Sequence, residues 1–130
     1  MATAINTPKI YSGALEVYQF SGNINALAAA GTVTLGTLPD GFETIYAAAE
    51  IAQMSANNKI SFGITGAETV FFTDLDNSGG AVNATWKTAT TPGSYATART
   101  RISGTTNVVL KNTGSATTTS ADKAVTLTLY

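Results

Sequence analysis

Apolar and polar residues alternate in short runs along this chain, and turn residues close each run about every ten positions. Alternation with a period of two marks a strand with one buried face and one wet face. The alternating runs fall at residues 15–20, 32–35, 60–64, 82–86, 96–102 and 125–129, and two further strands are read at 69–73, around the apolar run Val70-Phe71-Phe72, and at 107–111. Residues 44–53 join them. Ala47-Ala48-Ala49 favours helix by propensity, but Ile45, Ala47, Ala49 and Ile51 share one face of a strand, and the neighbours are strands. Ser21-Gly22-Asn23, Leu38-Pro39-Asp40-Gly41, Asn57-Asn58, Gly66-Ala67 and Asp76-Asn77-Ser78-Gly79-Gly80 supply the turns. The pattern predicts a short helical turn over 24–30 and a polar loop with an exposed tip over 112–121.

No strand–helix–strand rhythm appears, so a parallel α/β sheet is not expected. Eight to nine short strands in one domain predict an all-β, antiparallel two-sheet sandwich of jelly-roll type over residues 14–130. Residues 1–13 contain Pro8 and show no alternation, so they read as an extended N-terminal arm or an unstructured end.

Composition narrows the chemistry. The chain has no histidine and no cysteine. That removes Ser-His-Asp and Cys-His catalysis, disulfides and thiolate metal sites. The chain therefore reads as a non-enzyme without a cofactor. Seven Lys and Arg against eight Asp and Glu give a net charge of −1, which does not suit a phosphate backbone. No nucleic-acid partner is expected. No apolar run reaches the ~18 residues of a membrane span, and the first thirteen residues lack the features of a secretory leader. Thr (23) and Ala (21) make up about a third of the chain, which suits pleated surfaces and close packing.

Four groups of residues stand out as candidate sites. Asp74-Leu75-Asp76-Asn77-Ser78-Gly79 resembles the start of a calcium loop, with Asp74, Asp76 and Ser78 as oxygen donors. The EF-hand also needs Glu at its twelfth position, and Thr85 stands there, so the simpler reading is a solvated hairpin loop. Glu16 and Glu50 are the one strand-borne carboxylate pair to weigh against a glycosidase; as exposed strand residues they need no such role. Arg99 and Arg101 share one strand face, with Lys87 on a possible neighbour, as a small basic patch for a partner or simply a polar outer face. Trp86, Tyr18, Tyr46 and Tyr95 would serve a carbohydrate platform, but Trp86 alternates with Val82 and Ala84 and so reads as core. Gly63-x-x-Gly66 lacks the strand-to-helix setting of a phosphate loop and reads as turn chemistry.

One layout joins these segments. Gly31-Thr32-Val33-Thr34-Leu35 leads into Leu38-Pro39-Asp40-Gly41 and a small-residue strand at 45–52. Ile60-Ser61-Phe62-Gly63-Ile64 follows with an Asn/Asp/Gly-rich run, and a Thr-rich strand ends at Tyr130. Over residues 14–130 this order resembles the capsid decoration, or cement, proteins of tailed bacteriophages. The resemblance implies a β-sandwich without catalysis, located in the virion on the capsid exterior. It implies that the major capsid protein is a partner and that the chain self-associates as a homodimer or homotrimer. The contact residues expected on this reading are Thr3, Ile5, Pro8, Ile10 and Tyr11 of the arm, with Arg99 and Arg101. The alternatives are a phage tail or fibre-associated domain and a carbohydrate-binding sandwich.

Overall fold

Five strand pairs nest inside one another along the chain, like a long hairpin folded over on itself. A computed structural model describes residues 5–10, 16–24, 27–54, 57–85, 100–115 and 123–130. Its strands are β1 (Ile5–Ile10), β2 (Glu16–Ile24), β3 (Thr32–Leu38), β4 (Glu43–Thr44), β5 (Ala47–Ile51) and β6 (Lys59–Ile64). They continue with β7 (Ala67–Asp76), β8 (Val82–Thr85), β9 (Thr100–Arg101), β10 (Thr106–Asn112) and β11 (Lys123–Leu129). The innermost pair is β6 with β7, then β5 with β8, β4 with β9, β3 with β10 and β2 with β11, all antiparallel. The folded ribbon closes through β10 beside β6 and β11 beside β5. This gives one sheet in the order β1-β2-β11-β5-β8 and a second in the order β3-β10-β6-β7. Among the described residues, nine strands in two sheets with this winding form a jelly-roll sandwich, as the sequence predicts. The β4–β9 ribbon is an addition at one end.

The two-residue period is realised as rows across each sheet. Phe20, Leu127, Ala49 and Ala84 stand side by side on β2, β11, β5 and β8, and all four are buried. The adjacent row, Ser21, Thr126, Glu50 and Asn83, is on the outer face. In the second sheet Val33, Leu110, Phe62 and Phe72 form the corresponding row, with Phe62 and Phe72 edge-to-face at 6.3 Å. Small alanines on β5 and β8 share the core cluster with Phe20, Phe62, Phe71 and Phe72. Protein interiors are close-packed, and pairing large with small residues lets the two sheets approach.

Several local expectations give way to pairing. Residues 5–10, read as part of an arm, form the edge strand β1 against β2, with Pro8 opposite Tyr18. Main-chain pairing needs no apolar alternation, and an edge position tolerates the missing N–H of proline. Ser21-Gly22-Asn23 does not break its strand, because β11 continues alongside and Gly22 pairs with Val125. The helical turn expected at 24–30 is absent among the described residues there; β2 runs to Ile24, and Ala29-Ala30 turns with Ala30 at φ 60°. Gly63 is not in a turn. It is buried within β6, where a Cβ would overlap the backbone of Ala67 and Glu68. Gly66, at φ 89°, makes the turn.

The end of β10 is also not an exposed tip. Asn112 is fully buried, and its Nδ2 donates to the carbonyls of Ser115 (2.8 Å), Leu27 (3.2 Å) and Ala28 (3.3 Å). Its Oδ1 accepts from Gly114 N (3.0 Å) and from Nδ2 of the buried Asn58 (3.3 Å). One side chain thus ties together three connections at that end of the sandwich. Residues 116–121 of the expected loop lie outside the described residues.

Candidate functional site

The opposite end carries a cleft. β3 stops at Leu38, and Pro39, Asp40 and Gly41 turn the chain, Gly41 at φ 87°. The turn is latched to the segment after β9. Asp40 Oδ1 accepts from Gly104 N at 2.8 Å, Gly41 N donates to Ile102 O at 2.8 Å, and Ile102 N donates to Phe42 O at 2.7 Å. β4 and β9 then pair with Glu43 directly opposite Arg101. Opposite charges facing each other across a strand pair attract modestly, by about 0.2–1 kcal/mol.

Phe42 lines the cleft, with its ring edge-to-face against that of the buried Tyr18 at 5.1 Å. Two residues before Tyr18, and on the same strand face, stands Glu16. Burial pushes the Tyr18 hydroxyl above its ordinary pKa, and the charge of Glu16 and a hydrogen bond to its carboxylate push it further. The two-residue interruption between β4 and β5 leaves Ile45 out of the buried face expected for it. At 48% exposure it is the one large apolar side chain in the open among the described residues. Ile45 N donates to Tyr130 O at 2.7 Å, and the rings of Tyr46 and Tyr130 lie 5.4 Å apart. The resulting cleft holds about 550 Å³ and is lined chiefly by Glu16, Asp40, Glu43, Arg101, Ile45 and Tyr130. A shallower hollow of about 310 Å³ lies between Glu50, Asn83, Ala124 and Thr126 on the outer face of the five-stranded sheet.

Of the contact residues expected from the sequence, Arg101 lines this cleft. Ile5, Pro8 and Ile10 are placed on β1, where Ile10 pairs with Glu16, so β1 ends beside the cleft while Ile5 sits toward the other end. Thr3, Tyr11 and Arg99 lie outside the described residues, as do Lys87, Trp86 and Tyr95. Tyr18 is core and Tyr46 is half-buried.

The carboxylate pair does not converge. Glu50 is level with Ser21 across β11, five residues along from Glu16 and two strands away. With strands ~4.8 Å apart and a rise of ~3.3 Å per residue, that is roughly 19 Å. Glycosidase carboxyls stand about 5–9.5 Å apart.

In the Asp74, Asp76 and Ser78 loop the Asp76 carboxylate serves the turn. Asp76 Oδ1 accepts from Ser78 Oγ (2.6 Å) and Ser78 N (3.0 Å), and these bonds hold its pKa below the usual 3.8. Asp74 has φ 53° and donates its N–H to Ser61 Oγ at 2.9 Å. Among the described residues no group of three Asp or Glu side chains stands together as a metal site would need.

No family model matches the chain, and no curated protein matches it by sequence. By shape it is similar to a solved chain described as "Cyanophage Pam1 capsid asymmetric unit". The TM-score is 0.68 at 18% identity, over 95% of this chain and 83% of that one. At that identity the likeness is one of fold.

Proposed function

We propose that this chain is a structural, non-catalytic protein of a phage virion, a decoration protein that binds the outside of the capsid and stabilises contacts between major capsid subunits. The observation that carries the reading is the fold likeness over 95% of the chain to a component of a cyanophage capsid. The order of segments along the chain resembles that of capsid decoration proteins, which supports the reading independently of shape. Low charge supports it as well, since a chain with 12% charged residues covers its surface against other protein at little desolvation cost. A shell offers many copies of each contact, so weak contacts sum to firm attachment. The expected partners are the major capsid protein and a second or third copy of this chain.

Light scattering on the purified protein, followed by co-sedimentation with empty shells of its phage, tests this. A discrete oligomer that sediments with shells at fixed stoichiometry is expected. A monomer that stays in the supernatant would move the assignment to a tail, fibre or carbohydrate-binding domain.

A further inference from the structure

We infer that the cleft between β4, β9 and the start of β2 receives a loop of the shell protein carrying a lysine or arginine beside an aliphatic side chain. This rests on the capsid-binding reading above and names the surface and the chemistry of the contact. Two observations select that occupant.

The first is charge. Glu16, Asp40 and Glu43 line the cleft with one guanidinium, that of Arg101. Arg101 stands opposite Glu43. Among the described residues, the groups that hydrogen-bond the other two carboxylates are neutral, the Tyr18 hydroxyl for Glu16 and the Gly104 amide for Asp40. Anything that covers the cleft strips water from those two charges. A neutral occupant would leave them buried and uncompensated, which is costly, so the occupant must bring a cation. The second observation is Ile45. It is 48% exposed at the rim, next to the half-buried Tyr130, and offers an apolar anchor beside the carboxylates. A space of about 550 Å³ accepts a few side chains of a loop and is too small for a helix laid along it. An exposed apolar side chain beside charged groups gives a partner both an apolar contact and a charge to pair, and protein contacts combine the two.

Three variants test the inference in the shell co-sedimentation assay. Ile45→Asp removes the anchor at an exposed position. The double variant Glu16→Gln, Asp40→Asn removes two charges while keeping hydrogen-bond acceptors in place. Glu50→Gln, on the outer sheet face, is the control. Both cleft variants are expected to weaken shell binding at least about tenfold, and the double variant to flatten its salt dependence. The control should bind as the unaltered protein does. If the unaltered protein fails to bind shells, the function proposed above fails, and this contact with it. If it binds and the folded cleft variants bind equally well, the cleft assignment alone is wrong. If Ile45→Asp abolishes self-association but leaves shell binding intact, the occupant is a second copy of this chain, which also overturns the inference.

Discussion

Asn58 Nδ2 donates to Asn112 Oδ1 at 3.3 Å, joining two fully buried amides that lie 54 residues apart. Around this bond the segments 27–31, 57–59 and 112–115 are held by side chain to main chain contacts at the end of the sandwich away from the cleft. Polar groups buried in this way contribute little when paired and cost much when a partner is removed.

Asn112→Ala should therefore destabilise the fold by about 3 kcal/mol, because it removes the five hydrogen bonds that one buried side chain makes to Leu27, Ala28, Asn58, Gly114 and Ser115. Urea unfolding of the variant against the unaltered protein reads this directly. A loss under about 1 kcal/mol would mean that water replaces the side chain.

Three glycines should rank in order. Gly63→Ala drives a methyl into the backbone of β7 and should cost more than about 2 kcal/mol. Gly66→Ala has open space but sits at φ 89°, so its cost is conformational, about 1 kcal/mol. Gly79→Ala meets nothing within 4 Å at an ordinary φ and should be close to neutral. Thermal melts of the three variants check the order, and a harmless Gly63→Ala would contradict the tight β6–β7 contact.

Acid stability should depend on Asp76. Its carboxyl is held below 3.8 by the Ser78 bonds, so the folded state favours the ionised form. The stabilisation is present above pH 3.8 and is lost as pH falls through the folded-state value. Asp76→Asn should flatten the acid limb of a stability–pH curve in that window. Tyr18 acts at the other extreme. Its pKa is raised above 10.0, so its contribution is present below pH 10.0 and disappears as pH rises through the folded-state value. Tyr18→Phe should shift the alkaline limb.

Calcium and a chelator should leave the melting temperature unchanged, since Asp76 Oδ1 is committed to Ser78. A ligand that binds only the folded state would raise it. A rise that saturates with calcium would restore the loop as an ion site.

Stability and contact should separate at Ile45. Ile45→Ser is expected to change stability by less than about 0.5 kcal/mol, whereas Leu127→Ala, at a fully buried position, should cost about 3 kcal/mol. Denaturation of both variants, beside shell binding, distinguishes a surface role from a packing role.

The fold is largely legible in the sequence because each inner row is written as alternation. Phe20 sits between Gln19 and Ser21 and Leu127 between Thr126 and Thr128, and a two-residue period is local information. β1 is not legible as a strand, since Asn6, Thr7, Pro8 and Lys9 give no apolar rhythm and only the main chain of β2 specifies the pairing. The cleft is scarcely legible. Glu16, Asp40, Arg101 and Tyr130 are far apart in sequence and meet only because β4 and β9 close beside the start of β2. Ile45 carries a misleading signal, as its spacing matches the buried Ala47, Ala49 and Ile51. The interruption before β5 decides its orientation, and no residue at 45 or 46 announces that interruption. Asn112 reads as the start of a polar loop because asparagine favours turns wherever it stands, and only the packing shows three segments converging on it.

The nested order of the strands has a consequence for biosynthesis. As the chain leaves the ribosome, β2 is among the first strands to emerge, yet the neighbour that completes it in the sheet, β11, begins at Lys123. Phe20 waits for Leu127. In the interval β1 is the one early neighbour available to β2, and the apolar side of that hairpin remains uncovered. Hairpin β6–β7, turning at Thr65 and Gly66, is the natural first pair to form, with the outer pairs added around it. Folding of this kind is dominated by distant pairings and completes slowly, late in synthesis or after it. Nascent chains stalled short of residue 123 would therefore be the aggregation-prone species, and a holding chaperone would find its target in β2.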